Sequence, residues 1–245
     1  MKILVCITHV PDTTSKIHFT DNNSKFDPTG VQFIIGPYDD YALARAVELR
    51  DQTGGSLTAL NVGEVETEPT LRKALAIGAD DAIRINSFPK DSFFVAKQIA
   101  HVAKEGGYDL ILMGRESIDF NGGMVHGMVG ELLGIPSFSP VMKLEVEGTT
   151  VKMAREIEGG KEHLEAQLPL IAGCQEPIAE WKIPNMRGIM SARTKPLVVV
   201  EPGSFATQAE ASSYQLPPAK GTVKLVDKDQ VAELVHLLKN EAKVL

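Results

Sequence analysis

Four short aliphatic runs, Ile3 to Ile7, Leu57 to Val62, Ala82 to Ile85 and Leu110 to Met113, constrain this chain more than any other feature. They are apolar almost without alternation, as a strand covered on both faces of a parallel sheet must be. Helical patterns separate them. The first, from near Asp39 after Pro37, carries Ala42, Leu43, Ala46, Val47 and Leu49 on a broad stripe. The second opens around Thr67 to Pro69, includes Leu71, Ala74 and Leu75, and stops at Gly78, a residue suited to a left-handed helix end. The third, from about Asp91, places Val95, Ile99 and Val102 on one face and ends at Gly106-Gly107. Strands alternating with helices predict right-handed βαβ units and an α/β fold.

The pattern changes after residue 140. Val141 to Cys174 has turn signals at Glu147-Gly148 and Glu158-Gly159-Gly160 between strand-like stretches and reads as a β-meander. Ser204 to Gly221 is poor in large apolar residues and contains Pro217-Pro218, as an extended arm would. A last helix follows, with Asp227 and Gln230 placed for a capping box and Val231, Leu234, Val235 and Leu238 on one stripe. The chain of 245 residues therefore divides into an α/β domain over 1–200 and an arm and helix over 201–245.

Composition narrows the functions. Twenty-five Lys and Arg against 32 Asp and Glu leave a net charge of -7, which disfavours nucleic acid as a partner. The two cysteines, Cys6 and Cys174, sit in apolar strand-like segments, pointing to a reducing compartment rather than a disulfide framework. The apolar start is too short for a signal sequence and no stretch has membrane-spanning length, so a cytoplasmic protein without direct membrane insertion is expected. No G-x-x-x-x-G-K-[ST], G-x-G-x-x-G after the first strand, H-E-x-x-H or C-x-x-C occurs, so neither hydrolytic machinery nor a metal site is predicted.

Ligands of open parallel sheets bind beyond the carboxyl ends of the strands, where helix N-termini and loop amides converge. Three connections there stand out. Thr8 to Tyr38 is far longer than an ordinary βα loop, with a hairpin expected around Asp21-Asn22-Asn23, and it ends in Gly36-Pro37-Tyr38-Asp39. A tight turn with a surface Tyr explains that end equally well. Asn61-Val62-Gly63-Glu64 puts a glycine directly after a strand. Most informative is Gly114-Arg115-Glu116-Ser117-Ile118-Asp119-Phe120-Asn121-Gly122-Gly123, which leads into a helix carrying Val125, Met128 and Val129. Amides aimed at a phosphate contribute roughly 1.5 to 3 kcal/mol each as charge-assisted hydrogen bonds, enough to outweigh mild net repulsion. Close helix packing is the competing reason for Gly122, Gly123, Gly127, Gly130 and Gly134. His9 and His126 lie on this edge without a catalytic context.

Residues 180–195 depart from the acidic balance. Trp181 to Lys195 gathers four cations with large apolar residues in a segment expected to be mobile, a combination suited to protein docking as well as to plain solvation.

In this order these regions resemble the beta subunit of the electron transfer flavoproteins over nearly the whole chain. The resemblance rests on Lys2-Ile3-Leu4-Val5-Cys6, Ala74-Leu75-Ala76-Ile77-Gly78-Ala79-Asp80, Gly114 to Asp119, Arg155-Glu156-Ile157-Glu158-Gly159-Gly160 and Arg187-Gly188-Ile189-Met190-Ser191-Ala192-Arg193. It implies a doubly wound, adenine-nucleotide-binding (HUP-like) α/β fold with a mostly parallel sheet. It further implies an alpha subunit holding the redox FAD, and a C-terminal arm wrapped on that partner. By position, AMP or a second FAD in this subunit would meet Cys6, Gly36, Pro37, Tyr38, Asp39, Val62, Asp119, Asn121, Gly122, Gly123, Met124, Val125, Gly127, Met128 and Val129. Tyr38 and Thr13 would lie near the alpha-subunit flavin. Met186 occupies the family's docking-leucine position, with Arg187, Ile189, Met190 and Arg193 around it, facing dehydrogenase electron donors such as acyl-CoA dehydrogenases. A quinone oxidoreductase is the implied acceptor, and the subunit would carry electrons without being an enzyme.

The chain departs from the family in reading Asp119-Phe120-Asn121-Gly122-Gly123-Met124, which removes a side-chain amide at Met124 and shifts phosphate binding to backbone donors. Two other classes stand beside this one. A stand-alone regulator of the universal-stress type shares the sheet but needs neither a basic segment nor a long arm. An adenylating or pyrophosphatase-like enzyme needs a glycine-serine loop where this chain has Thr8-His9-Val10-Pro11-Asp12.

Overall fold

A computed structural model describes all of residues 1–245. The first four runs form β1 (Lys2–Cys6), β6 (Ser56–Val62), β7 (Asp81–Ile85) and β8 (Leu110–Gly114). Within the long first connection lie β2 (His9–Pro11), β3 (Phe19–Thr20), β4 (Lys25–Phe26) and β5 (Phe33–Ile35). They make two small antiparallel pairs, β2 with β5 and β3 with β4, the second being the expected hairpin. The helices between strands are α1 (Pro37–Thr53), α2 (Glu68–Ile77, after a 3₁₀ turn at Val65–Thr67), α3 (Ser92–Gly106) and α4 (Val125–Leu133).

Local chemistry explains these boundaries. Pro37 sits at the start of α1, where no amide is needed, and Asp39 and Asp40 face the positive end of the helix. Asp91 caps α3 by accepting from the Phe94 amide at 2.7 Å. Gly78 does end α2, but not in the expected left-handed conformation; a Cβ there would meet Val47 Cγ2 at 2.7 Å, so close packing on α1 is the requirement.

One nine-stranded sheet organises the chain, in the order β11-β10-β9-β12-β8-β1-β6-β7-β13. From β12 to β13 all neighbours are parallel. The chain runs outward from β1 through β6 to β7, then returns by α3 to place β8 on the other side of β1. Strand order therefore reverses between β1 and β8, the position at which such sheets open a crevice at their carboxyl edge. Alternation along β1 sends Ile3, Val5 and Ile7 into a 27-residue cluster with α1 and α2, and Leu4 and Cys6 into a 13-residue cluster with α3 and α4. Helices on both faces make the fold a doubly wound α/β architecture.

The meander is shorter than expected. β9 (Ser137–Glu147), β10 (Thr150–Ile157) and β11 (Gly160–Gln167) run antiparallel, turning at Gly148 and Gly159 with φ of 64° and 80°, values that favour glycine. β12 (Leu170–Cys174) leaves that pattern and inserts parallel to both β9 and β8, because all five of its residues are buried and need cover on both faces.

The basic segment is not mobile coil. Asn185 caps α5 (Met186–Ala192) through the Gly188 amide at 2.8 Å, and β13 (Leu197–Val200) follows at the sheet edge. The arm starts there and has no regular structure until α6 (Val231–Asn240). The expected capping box is absent: Gln230 is the cap residue without a side-chain bond, and Asp227 accepts from Asp229 instead.

Candidate functional site

At the carboxyl edge between β1 and β8, Asp39 joins three segments of chain. Its Oδ2 accepts from the Thr8 amide at 2.8 Å and the Thr8 hydroxyl at 2.6 Å, and its Oδ1 accepts from the Gly114 amide at 2.8 Å. The carboxylate is 3% exposed, and burial pushes its pKa up to about 6 against the pull of its three donors and with a push from Asp40. Gly114 is required by the same contact, since a Cβ would strike Tyr38 Cβ at 2.8 Å. Asp39 therefore spends its acceptors on the scaffold of the crevice. Gly36 is buried in the same junction.

From Gly114 the chain enters a compact loop. Ser117 and Gly122 exchange two backbone hydrogen bonds of 3.1 Å, and Asp119 accepts from the Ser117 hydroxyl and, at 2.9 Å, from the Phe120 amide. Asn121 takes a positive φ of 50°, a conformation asparagine tolerates. Gly123, Met124 and Gly127 are exposed, and nothing lies within 4 Å of where a Gly127 Cβ would stand. The first-turn amides of α4, those of Val125, His126 and Gly127, have no hydrogen-bond partner beside this loop. Val129 is buried, while Val125 and Met128 are half-buried under the helix.

Arg115 ties the loop to the rest of the edge. Its guanidinium stands 4.8 Å over the Tyr38 ring and donates to Gln175 Oε1 at 2.8 Å, and Gln175 donates to Glu156 Oε2 at 2.7 Å. Arg115 Nε is buried with no partner. His126 sits against Ser137 Oγ at 3.4 Å, with a pKa lowered chiefly by burial. Cys6 and Val62 are buried at the ends of β1 and β6, two adjacent strands, and burial raises the Cys6 thiol far above its ordinary value. The free thiols of Cys6 and Cys174 are both buried.

The structure therefore brings Gly36, Tyr38, Asp39 and the loop after β8 into one junction, with the start of α4 beside it. The roles of Thr8, Arg115, Gln175 and Glu156 escaped the sequence, because the Asp39 partners come from 31 and 75 positions away. Thr13 is exposed on the long first connection. No group of three or more metal-ligating side chains occurs, and no helix is long and apolar enough to cross a membrane.

Met186, Arg187, Ile189, Met190 and Arg193 are elsewhere. The first four lie on α5 and Arg193 just after it; α5 packs on α2, and Gly188 meets the Ala76 carbonyl near the end of α2. α2 begins at the carboxyl edge, just after β6, and ends beside the amino end of β7, so α5 sits at the opposite end of the sheet from the crevice. Met186 is 73% and Met190 66% exposed, with Trp181 and Ile183 exposed nearby. A recess of about 450 Å³ between α2 and α5 is lined by Arg50, Arg187 and Lys195 among others.

A mostly parallel, doubly wound sheet with its switch point between β1 and β8, and a compact loop leading into α4 beside that point, defines an α/β protein of the doubly wound class. The electron transfer flavoprotein domain model matches residues 24–204. The chain is 36% identical to the electron transfer flavoprotein subunit beta of Bacillus subtilis (strain 168), all of both chains being covered. It is 32% identical to the protein of that description from Bradyrhizobium diazoefficiens, again over all of both, and 30% identical to one from Syntrophomonas wolfei, over all of this chain and 98% of the relative. This chain belongs to the electron transfer flavoprotein family, and its role is electron transfer.

Proposed function

We propose that this chain pairs with an alpha subunit that holds the redox FAD, and that it binds AMP, or a second FAD, in the crevice between β1 and β8. The observation that carries this reading is the start of α4: exposed Gly123 and Gly127, first-turn amides that have no hydrogen-bond partner, and a neighbouring loop folded back on itself by the Ser117–Gly122 pair. Backbone amides at a helix start suit a phosphate, and they do not depend on the side-chain amide that Met124 lacks.

The residues at the edge fit an adenylate. Val125 and Gly127 would offer amides to the phosphate, Asn121 and Gly122 would shape the loop, and Cys6, Pro37 and Val62 would line the apolar side. Asp39 would keep the crevice walls together, as its bonds to Thr8 and Gly114 require. A flavin, when bound, supplies the one- and two-electron chemistry. The chain's own residues bind, orient and exclude water, and break no covalent bond; the subunit is an electron carrier and not an enzyme.

Support for a partner chain comes from the arm. Val231, Leu234 and Val235 form an apolar stripe on α6 that is 43 to 60% exposed. Such a stripe on a ten-residue helix needs cover. At the other end of the sheet, Met186 and Met190 ringed by Arg187 and Arg193 fit a partner with an apolar pocket rimmed by carboxylates. Flavin dehydrogenases such as acyl-CoA dehydrogenases are the donors of this reading, a quinone oxidoreductase is the acceptor, and the cytoplasm is the compartment.

Gly123→Arg tests the nucleotide assignment. A Cβ at this position stands 3.3 Å from the Arg115 carbonyl, so a long side chain is directed over the loop. The purified heterodimer is expected to lose its second nucleotide while keeping its far-ultraviolet circular dichroism. Unchanged nucleotide content would refute the placement.

A further inference from the structure

We infer that Arg72 and Lys195 are positioning residues that hold α5 in docking register on α2. The inference rests on the reading of α5 as a docking surface and adds what sets its position. Arg72, in the middle of α2, donates through Nη1 to the Ala192 and Lys195 carbonyls, both at 2.9 Å. Those carbonyls belong to the end of α5 and the chain just beyond it. Lys195 returns the contact, donating through Nζ to the Leu75 carbonyl at 2.9 Å and the Ala79 carbonyl at 2.6 Å. Four charge-assisted bonds thus cross between the two segments in both directions, each stronger than a neutral one.

Packing completes the lock. Gly188 lies directly on the Ala76 carbonyl, so the α5 backbone touches the α2 backbone without an intervening side chain. Ala192 is 3% exposed and belongs to the larger core cluster. Only the opposite face of α5, with Met186 and Met190, remains outside. Lys195 therefore acts inward although its segment reads as a solvated basic run, and the side chains of Arg187 on α5 and Arg193 just after it are left without hydrogen-bond or ion-pair partners.

The other end of α2 is held as well. Thr70 Oγ1 lies 2.7 Å from His9 Nδ1, and the His9 ring stacks on Phe33 at 4.3 Å, so the first turn of α2 is fixed to the β2–β5 pair. Ten residues of α-helix span about 15 Å. α2 is thus a strut with the crevice edge at one end and α5 at the other, and Arg72 with Lys195 fixes the angle at which α5 leaves it.

The test compares Arg72→Met, Arg72→Lys, Lys195→Met and Met186→Ala heterodimers, each with its flavin content measured. A purified acyl-CoA dehydrogenase reduced by its own substrate serves as donor, and amide hydrogen exchange is read over residues 186–195. Arg72→Met and Lys195→Met are expected to raise KM for the heterodimer by about fivefold or more with kcat nearly kept, and to speed exchange over α5. Arg72→Lys is expected to restore part of both. If Met186→Ala leaves KM unchanged, the docking reading fails, and exchange over α5 alone then decides the positioning claim. If Met186→Ala raises KM while Arg72→Met and Lys195→Met change neither KM nor exchange, the positioning claim is overturned and docking stands. Should one of the two Met variants give no soluble heterodimer, the other decides by the same readouts.

Discussion

Asp39 is the residue on which the crevice depends most. A carboxylate can accept from three donors at once, and an amide of the same shape cannot, because its nitrogen would face either the Gly114 amide or the Thr8 donors. Asp39→Asn is therefore expected to destabilise the fold by about 1 to 3 kcal/mol despite removing a buried charge. The pH dependence has a definite sign. Asp39 has its folded pKa raised from 3.8 to about 6, so the native state holds its proton more tightly than the unfolded chain does. Its contribution is complete at acid pH and is lost as pH rises through about 6. The cost of Asp39→Asn, measured by chemical denaturation, should accordingly be larger at pH 4.5 than at pH 7.5; the reverse order would contradict the burial argument. In the sequence Asp39 is legible as a helix-start acid beside the crevice. Its role is not legible there, because nothing local announces that Thr8 and Gly114 will arrive at the same carboxylate.

Elements were legible where the pattern was local. β1 and β8 follow from unbroken apolar runs, β6 and β7 from runs interrupted only by Thr58, Asn61 and Arg84, and α3 follows from Asp91 at one end and Gly107 at the other. Two elements were not. β12 reads as the last strand of the meander, yet its burial on both faces sends it between β9 and β8. α5 reads as a mobile basic loop, since its cap Asn185 and its close-packing Gly188 are ordinary turn residues too. What makes α5 a helix is tertiary contact with α2, which the sequence does not display. Gly188→Val is expected to push α5 off Ala76 and cost about 1 to 3 kcal/mol by overpacking, seen as a lower Tm with faster amide exchange confined first to residues 186–195. Unchanged exchange there would mean that α5 has slack the contacts do not show.

For the whole molecule, the division near residue 200 has a graded physical basis. The arm is still tied to the body early on: Gly203 exchanges two hydrogen bonds with the Gln98 side chain, at 2.8 and 2.9 Å, and the Tyr214 ring stacks on Phe19 at 5.1 Å. Beyond that, residues 216–245 make hydrogen bonds and ion pairs only among themselves. Deleting 216–245 is expected to shift the unfolding free energy of the chain by no more than about 0.5 kcal/mol while abolishing assembly with the alpha subunit. A large loss of stability without loss of assembly would reverse the roles given to the arm.

Whether this subunit holds a nucleotide of its own is decided by nucleotide release. The heterodimer is denatured, and the released nucleotides are separated and counted per mole of protein. One FAD together with one AMP or second FAD is expected, the second nucleotide disappearing in Gly123→Arg while the first stays. A single FAD with no second nucleotide, or a second nucleotide that survives the substitution, would contradict it.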